Sequence, residues 1–522
     1  MHRSFPRPDF VSWFWAALSG LLLAAAFPKT GWDFLSWAAL VPLFWAVNRK
    51  TPSQAARLGL VFGVVHFSLV VYWVVIAMTV YGGVSYLLAG PILILMAAFL
   101  GLYPAMFCLV TRWCAATPML FLVAAPASWV GLEFVRLHFL TGFPWCSVGH
   151  AFYTRTSLIQ IADITGVYGL SYLVVLVNAA IFVALCAARK IPVFGRNASF
   201  KTAVFGLGTA LVLLSGVLGY GKWRMAETDA LAAKTEKVRV AVIQGNIDQA
   251  VKWDPSYQAA TIEKYEALTR LASRGKPDIV IWPESAMPFH FLRESVYTGR
   301  VLDLMRETGS SLLAGSPYCE PDGEGWRCFN RAYLVSPDGS VTGHYDKVHL
   351  VPWGEYVPLK KWMPFIDKLT QEVGDFEPGQ PGRVLYAGKA KIGLGICYEI
   401  IFPALSRKQV ENGANLLATI TNDAWYDRSS AAYQHFAIAS FRAVENRRAL
   451  ARAANTGISG FVEPCGRIGQ TTALFTDAWA VVELPLLESR TVYSRVGDLF
   501  SWLCAISALF LILLGFKKRL DS

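Results

Sequence analysis

Lys391-Ile-Gly-Leu-Gly-Ile-Cys-Tyr-Glu-Ile-Ile-Phe-Pro403 is an apolar run that stops at a thiol, Cys397, with Tyr398 and Glu399 directly after it. Residues 392–396 carry no polar side chain, the pattern of a strand covered on both faces. A thiol at the exit of such a strand is placed to be a nucleophile, although a lone cysteine is more often a small buried side chain. The surroundings decide between these readings.

Upstream and downstream, strand and helix patterns alternate. Apolar runs at 238–244 and 278–284 are separated by a helical stretch that starts at Asp254-Pro255 and reaches about 273, with proline at an early helical position. A helix at 292–308 precedes a strand at 311–315. Strands at 331–335 and 341–345 flank Ser336-Pro-Asp-Gly-Ser340, a strong hairpin signal. Residues 415–421 repeat the buried-strand pattern, a helix follows at 430–448, and strands are expected at 449–455, 458–463 and 478–486. This is a layered α/β domain of about 250 residues, enough to bury its own core. Three of its strand ends are polar: Glu284, Cys397 and Asn422-Asp423. Ligands gather outside the carboxyl ends of strands in such sheets, and Lys347, just past the second hairpin strand, can reach the same crevice.

That domain is flanked by apolar sequence. The 522 residues are 54% hydrophobic and 16% charged, with mean hydropathy +0.39, against about 25% charged in a soluble domain. Bilayer-crossing helices need about 20 apolar residues. Seven candidates precede the α/β block, at 13–28, 32–47, 58–80, 85–110, 118–136, 166–187 and 202–221, and an eighth lies at 497–516. The chain thus divides into a membrane domain at 1–221, a catalytic domain at 222–495 and a last membrane helix with a basic tail at 496–522. Lys and Arg alternate between loops. One side holds Arg49, Lys50, Arg57, Arg112, Arg189, Lys190, Arg196 and the Lys517-Lys518-Arg519 tail; the other has few cations. This bias puts both termini in the cytoplasm and residues 222–495 on the outer face. No cleavable signal peptide is expected, because the first apolar run lacks a cleavage site and continues into further spans.

The net charge of +11 is accounted for by this loop asymmetry, and no basic stripe with interleaved aromatics suggests nucleic acid. The nine cysteines show no CxxC or Cys/His spacing, so neither a metal nor another cofactor is expected. Cys319 and Cys328 flank a Gly/Asp-rich loop; a disulfide would suit an oxidising compartment, and the sequence leaves it open.

Trp-Pro-Glu284, Tyr-Asp-Lys347 and Gly-Ile-Cys397-Tyr-Glu resemble, in order, the Glu-Lys-Cys triad of the nitrilase superfamily. The flanks Lys252-Trp253-Asp-Pro, Lys347-Val-His-Leu-Val-Pro-Trp-Gly-Glu355-Tyr-Val-Pro358 and Thr421-Asn-Asp-Ala-Trp425 narrow the resemblance to the bacterial apolipoprotein N-acyltransferase family, over essentially the whole chain. The resemblance implies an αββα sandwich beside about eight membrane helices in the bacterial inner membrane, with the catalytic domain periplasmic. It also implies a reaction: an acyl chain moves from a membrane phospholipid to the amine of a diacylglyceryl-cysteine apolipoprotein. A monomer working without nucleic acid is expected.

In chemical terms Glu284 is the candidate general base. Lys347 is the candidate for stabilising thiolate and oxyanion, and Cys397 the nucleophile. Glu355 and Glu399 are accessory residues by resemblance, or else partners of Lys347 and of backbone donors. Tyr398 orients the site or packs beside the thiol. Trp253 touches an acyl chain or belongs to the core. His344, His349 and His435 leave a Cys-His pair conceivable, with nothing to place one against Cys397. The stretch 353–369 mixes Trp362, Phe365 and Leu369 with Lys360, Lys361 and Lys368, as an interfacial lid or a helix packed on the sandwich would. Two rivals remain: a membrane-tethered amidase acting on a small amide, and a transporter or scaffold whose outer domain only binds.

Overall fold

The computed structural model describes residues 9–114, 117–323, 325–356 and 376–520. Most of the amphipathic stretch 353–369 therefore lies outside the described residues. The chain forms two compact units. One comprises 1–224, 429–437 and 496–522; the other 225–428 and 438–495.

The first unit is helical. Among the described residues, five of its helices are long and apolar enough to cross a membrane: Pro52–Val70, Tyr86–Trp113, Pro118–His138, Tyr168–Ala188 and Phe200–Lys234. Three shorter apolar helices, Phe10–Ala25, Asp33–Val47 and Leu499–Leu514, fall on the remaining predicted runs. The expected span at 58–80 is broken: Pro52–Val70 ends, and two short helical turns, Trp73–Ile76 and Ala77–Tyr81, complete it. Without a hydrophobic drive between helices in lipid, close backbone approach carries the packing. Gly59 and Gly63 show it, because a Cβ on either would come within 2.5 Å of the next helix, at Pro104 O and Gly101 Cα respectively. Outward-facing residues such as Leu87, Leu95, Leu211 and Val212 are left exposed, as lipid-facing positions are.

Among the described residues the second unit holds twelve strands: β1 (Lys237–Gln244), β2 (Ile279–Ile281), β3 (Ser311–Asp322), β4 (Gly325–Val335), β5 (Val341–Asp346), β6 (Val384–Ala387), β7 (Ala390–Ile396), β8 (Leu416–Thr421), β9 (Ala449–Ala454), β10 (Gly460–Val462), β11 (Ile468–Thr471) and β12 (Ala478–Pro485). They form two six-stranded sheets, ordered β12-β1-β2-β3-β4-β5 and β11-β10-β9-β8-β7-β6. Val240, Ile281 and Leu334 of the first sheet share one buried cluster with Ile392, Leu394 and Ile420 of the second, so the sheets pack face to face. The outer face of the first sheet, with Ala241, Val280 and Leu312, buries Ile262 and Tyr265 of helix Pro255–Ser273 and Val301 and Leu304 of helix Ser295–Thr308. Helix Pro403–Glu411 covers β7. This is the αββα sandwich.

Two strands differ from the sequence expectation. β3 and β4 run on as a ribbon, in register from Leu312↔Val335 to Asp322↔Gly325, where only 311–315 and 331–335 read as strand. Residues Pro317, Glu320, Pro321 and Asp322 have poor strand propensity, and the pairing rather than the propensity makes them extended. Cys319 and Cys328 lie directly opposite one another in that ribbon and are joined as a disulfide.

Candidate active site

Four segments of the second unit converge at the carboxyl ends of its strands. β2 runs into Trp282-Pro283-Glu284. Trp282 is buried, donates its indole N–H to Thr269 Oγ1 at 2.9 Å and stacks on Tyr265, which fixes the exit of the strand. At Ser285 the backbone turns at φ 48° and passes close to β3. Gly315 permits this, since a Cβ there would lie 2.5 Å from Ser285 N.

Glu284 is buried and almost fully satisfied. Oε1 accepts from Asn330 Nδ2 at 2.8 Å and from Lys347 Nζ at 3.3 Å, and Oε2 accepts from the Asn422 backbone N–H at 3.0 Å. The Cys397 thiol hydrogen-bonds to the same carboxylate. Burial pushes this carboxyl upward. Lys347, Asn330, Lys252 and Cys397 together outweigh burial and hold it below the usual carboxylate range.

Lys347 follows β5 and is 1% exposed. Its ammonium donates to Glu355 Oε1 at 2.9 Å as well as to Glu284. Burial disfavours its charge, but the two carboxylates win and keep it protonated well above the ordinary lysine range. Glu355 also accepts from Asn330 Nδ2 at 2.9 Å and from Val351 N at 2.9 Å.

Cys397 follows β7 and opens the 3-10 turn Cys397–Ile401. Its φ is 54°, a left-handed conformation costing a non-glycine residue ~1–2 kcal/mol. Glu399 pins the turn. It accepts from Ile396 N at 2.6 Å, Val348 N at 2.6 Å, His349 N at 3.1 Å and Tyr345 Oη at 3.1 Å. One carboxylate thus ties the chain after Lys347 to the chain around Cys397. Burial pushes Glu399 up to about 7, against those donors.

Lys347 acts on Cys397 in the expected direction, toward thiolate, but is outweighed. Burial first, and Glu284 second, push the Cys397 thiol up to about 12, and Lys347 offsets only part of this. A thiol beside an ionised carboxylate in a dry site keeps its proton.

The other expected residues divide. Glu355 is indeed a Lys347 partner, and Glu399 serves backbone donors. Tyr398 packs edge-on against Phe402 at 5.2 Å. Trp253 is not core, being 49% exposed. His349 stacks on Phe402, His344 lies 3.7 Å from Asp346 Oδ2, and His435 belongs to the helical unit, beside Trp145. Asp229, Glu463 and Cys465 lie within ligand distance of one another; there Arg467 already pairs with Asp229 and Glu463, supplying the cation. Two residues without a role in the sequence reading touch Glu284. Asn330 interrupts the strand run Phe329-Asn-Arg331, an amide in the middle of a buried strand and therefore a detectable anomaly. Lys252 donates to the Glu284 backbone carbonyl at 3.1 Å.

A buried Glu–Lys–Cys cluster on an αββα sandwich is the arrangement of a carbon-nitrogen hydrolase domain, and residues 239–492 match the carbon-nitrogen hydrolase family. Residues 19–180 match the apolipoprotein N-acyltransferase N-terminal domain. The chain is 43% identical over 517 residues to the apolipoprotein N-acyltransferase of Geobacter metallireducens, covering 99% of this chain and 97% of the relative. It is 31% identical to that of Methylococcus capsulatus, covering 92% of each. The chain belongs to the apolipoprotein N-acyltransferase family. Among solved structures it is similar to an amidase from Nesterenkonia sp., at 23% identity and a TM-score of 0.38, over 51% of this chain and 96% of that one.

Proposed function

We propose that this chain transfers a fatty acyl group from a membrane phospholipid, through a thioester on Cys397, to the α-amine of a diacylglyceryl-cysteine at an apolipoprotein N-terminus. Membership of the family makes it an acyltransferase of lipoprotein maturation. The observation that carries the mechanism is the single buried network in which Glu284 receives the Cys397 thiol and the Lys347 ammonium together.

In the first half-reaction Glu284 takes the thiol proton as the sulfur attacks the acyl ester carbonyl. Lys347, with a backbone N–H beyond Cys397, stabilises the oxyanion. The ester C–O bond breaks, the glycerol oxygen recovers the proton from Glu284, and a lysophospholipid leaves. In the second half-reaction the acceptor amine attacks the thioester and Glu284 accepts an amine proton. The C–S bond then breaks and Cys397 is reprotonated. Glu355 and Glu399 hold Lys347 and the Cys397 turn in place, Tyr398 packs beside the thiol, and exposed Trp253 offers an apolar surface to an acyl chain.

We further place residues 222–495 on the periplasmic face, between a membrane domain at 1–221 and a last membrane helix and basic tail at 496–522. The loop charge bias supports this orientation, as does the Cys319–Cys328 disulfide, which suits an oxidising compartment. An amidase would need no lipid-facing helices, and a scaffold would need no buried triad. The test is intact mass spectrometry of the purified protein incubated with phospholipid. An acyl adduct is expected on the wild type and none on Cys397→Ala; an unmodified wild type would refute the thioester.

A further inference from the structure

Thr421 ends β8 and is fully buried, and neither the resemblance nor the mechanism above gives its hydroxyl a role. β7 and β8 run parallel and pair at Ile396↔Ile420, so Cys397 and Thr421 are the next positions along two adjacent strands. The residue after Thr421, Asn422, donates its backbone N–H to Glu284 Oε2 at 3.0 Å, and Glu284 in turn receives the Cys397 thiol. The exit of β8 is thereby held against both partners of the proton transfer, and the Thr421 hydroxyl hydrogen-bonds to the Cys397 sulfur.

The other side of that hydroxyl is fixed as well. Thr421 Oγ1 donates to Asp423 Oδ1 at 3.0 Å. Asp423 is buried and pairs through Oδ2 with Nη2 of the fully buried Arg452 at 2.8 Å. Gly457 closes over this pair, since a Cβ there would meet Asp423 Oδ2. A buried ion pair contributes little to stability by itself; one that ends on a hydroxyl beside the nucleophile has a use in the chemistry.

A hydroxyl has one proton to share. While Cys397 keeps its own proton the sulfur needs no donor, and the Thr421 proton rests on Asp423. When Glu284 takes the thiol proton the sulfur becomes an anion, and rotation about the Cβ–Oγ1 bond turns the hydroxyl proton onto it with no heavy atom moving. Arg452 continues to neutralise Asp423 meanwhile. Thr421 acts on the sulfur, whereas Asn330 and the Asn422 N–H act on Glu284, so it lowers the proton affinity of the thiol and not that of the base. Burial and then Glu284 oppose the thiolate most and Asp423 opposes it further, while Lys347 and Thr421 favour it.

We propose that Thr421 is a further catalytic residue of the acyl transfer: its hydroxyl turns from Asp423 to the Cys397 sulfur each time the thiolate forms, first as nucleophile and again as leaving group. This role rests on the thioester reading of Cys397. The O–H bond of Thr421 stays intact throughout; the thiol proton goes to Glu284 and returns from it.

The test follows acyl-adduct formation with phospholipid, and then loss of the adduct on adding a diacylglyceryl-cysteine peptide, for wild type, Thr421→Val, Thr421→Ala and Thr421→Ser. A hydrogen bond to an anion contributes a factor of about 10–100, and leaving Asp423 offsets part of it. Thr421→Val should therefore slow both steps about tenfold, with the half-saturating phospholipid concentration unchanged. Thr421→Ala, also without a hydroxyl, should be as slow, and Thr421→Ser should stay within about threefold of wild type. A residue that only packed would show the reverse, because valine keeps the shape of threonine and serine does not. Wild-type rates in Thr421→Val, a Thr421→Ser as slow as Thr421→Val, or a loss confined to one of the two steps overturns the role. An unmodified wild type would instead refute the thioester itself, so the two failures are distinguishable.

Discussion

Asn330→Leu is the perturbation that most directly probes how the site is held together. Asn330 is 6% exposed, and its single Nδ2 donates to both Glu284 Oε1 at 2.8 Å and Glu355 Oε1 at 2.9 Å. Leucine has nearly the same shape and removes both donors without opening a cavity. Each hydrogen bond to a charged group contributes ~1.5–3 kcal/mol. The two share one nitrogen and sit beside Lys347, which still pairs with both carboxylates, so we expect the lower end, ~3 kcal/mol in all. For a domain of this size 1 kcal/mol corresponds to ~2–4 °C, and the melting temperature in detergent should fall by ~6–12 °C. The catalytic effect has a definite direction. Losing a donor raises the proton affinity of Glu284, which alone would help it take the thiol proton. It also removes the amide that bridges the two carboxylates, leaving Lys347 between them, Asn422 N on Glu284 and Val351 N on Glu355. Loss of positioning outweighs the gain in basicity, a misplacement of about 1 Å costing ~10²-fold in rate, and adduct formation should slow. Asn330→Asp provides the contrast, because a third carboxylate against Glu284 and Glu355 must take up a proton and should slow the reaction more at high pH than at low. If Asn330→Leu keeps the wild-type adduct rate and melts within about 1 °C of it, the bridging amide contributes nothing and the account of the network is wrong.

Three further outcomes are expected. Gly315→Ala would place a Cβ 2.5 Å from Ser285 N and 3.0 Å from Glu284 Cα; a base displaced by about 1 Å costs ~10²-fold in rate, and an adduct rate within threefold of wild type would show that the turn yields. Breaking the Cys319–Cys328 disulfide, which spans nine positions in sequence, should cost ~3 kcal/mol through loop entropy and lower the melting temperature of Cys319→Ser/Cys328→Ser, while the adduct still forms; an unchanged melt argues that β3–β4 pairing alone holds the ribbon. Glu399, pushed by burial from 4.5 up to about 7, binds a proton more tightly folded than unfolded. Its contribution to stability is therefore complete below about pH 4.5 and lost as pH rises through 7, a span of ~3 kcal/mol. Glu399→Gln should flatten melting temperature against pH across that interval, whereas a curve merely displaced in parallel contradicts it.

The parts of this molecule legible in the sequence are those where one physical constraint acts alone. Apolar run length is set by bilayer thickness, so the membrane helices stand out, although Phe200–Lys234 continues as helix well past its apolar part at 202–221. Strands buried on both faces, such as β7 and β8, announce themselves as unbroken apolar runs ending in a polar residue, which is how Cys397 and Asn422 were found. β11, Ile468–Thr471, is exposed along its length and owes its existence to pairing with β10, so no alternation marks it. Glu284 and Lys347 end recognisable elements. Lys252, by contrast, sits in an irregular segment where a lysine normally points to solvent, and only the burial revealed by the fold gives it meaning.

The protonation pattern of the site bears on why an enzyme of this kind would not spend its nucleophile in water. Lys347 grips Glu284 and Glu355 at rest, which lowers the basicity of Glu284, while burial keeps Cys397 protonated up to about 12. Proton transfer from thiol to carboxylate is then uphill in the empty site, and the resting enzyme holds little thiolate to be oxidised or alkylated. On the proposed thioester mechanism an acyl carbonyl changes the balance, because the charge leaving sulfur would appear on an oxygen that Lys347 can follow. As the ammonium turns from carboxylate to oxyanion, Glu284 loses a cation and becomes a stronger base at the moment a base is needed. The stabilisation is thus made in the transition state rather than before it, and Glu355 is what allows the lysine to shift without leaving its pocket. On this account Glu355→Gln would affect the rate of thioester formation more than the binding of phospholipid, since its partner is engaged differently only once the carbonyl has begun to react.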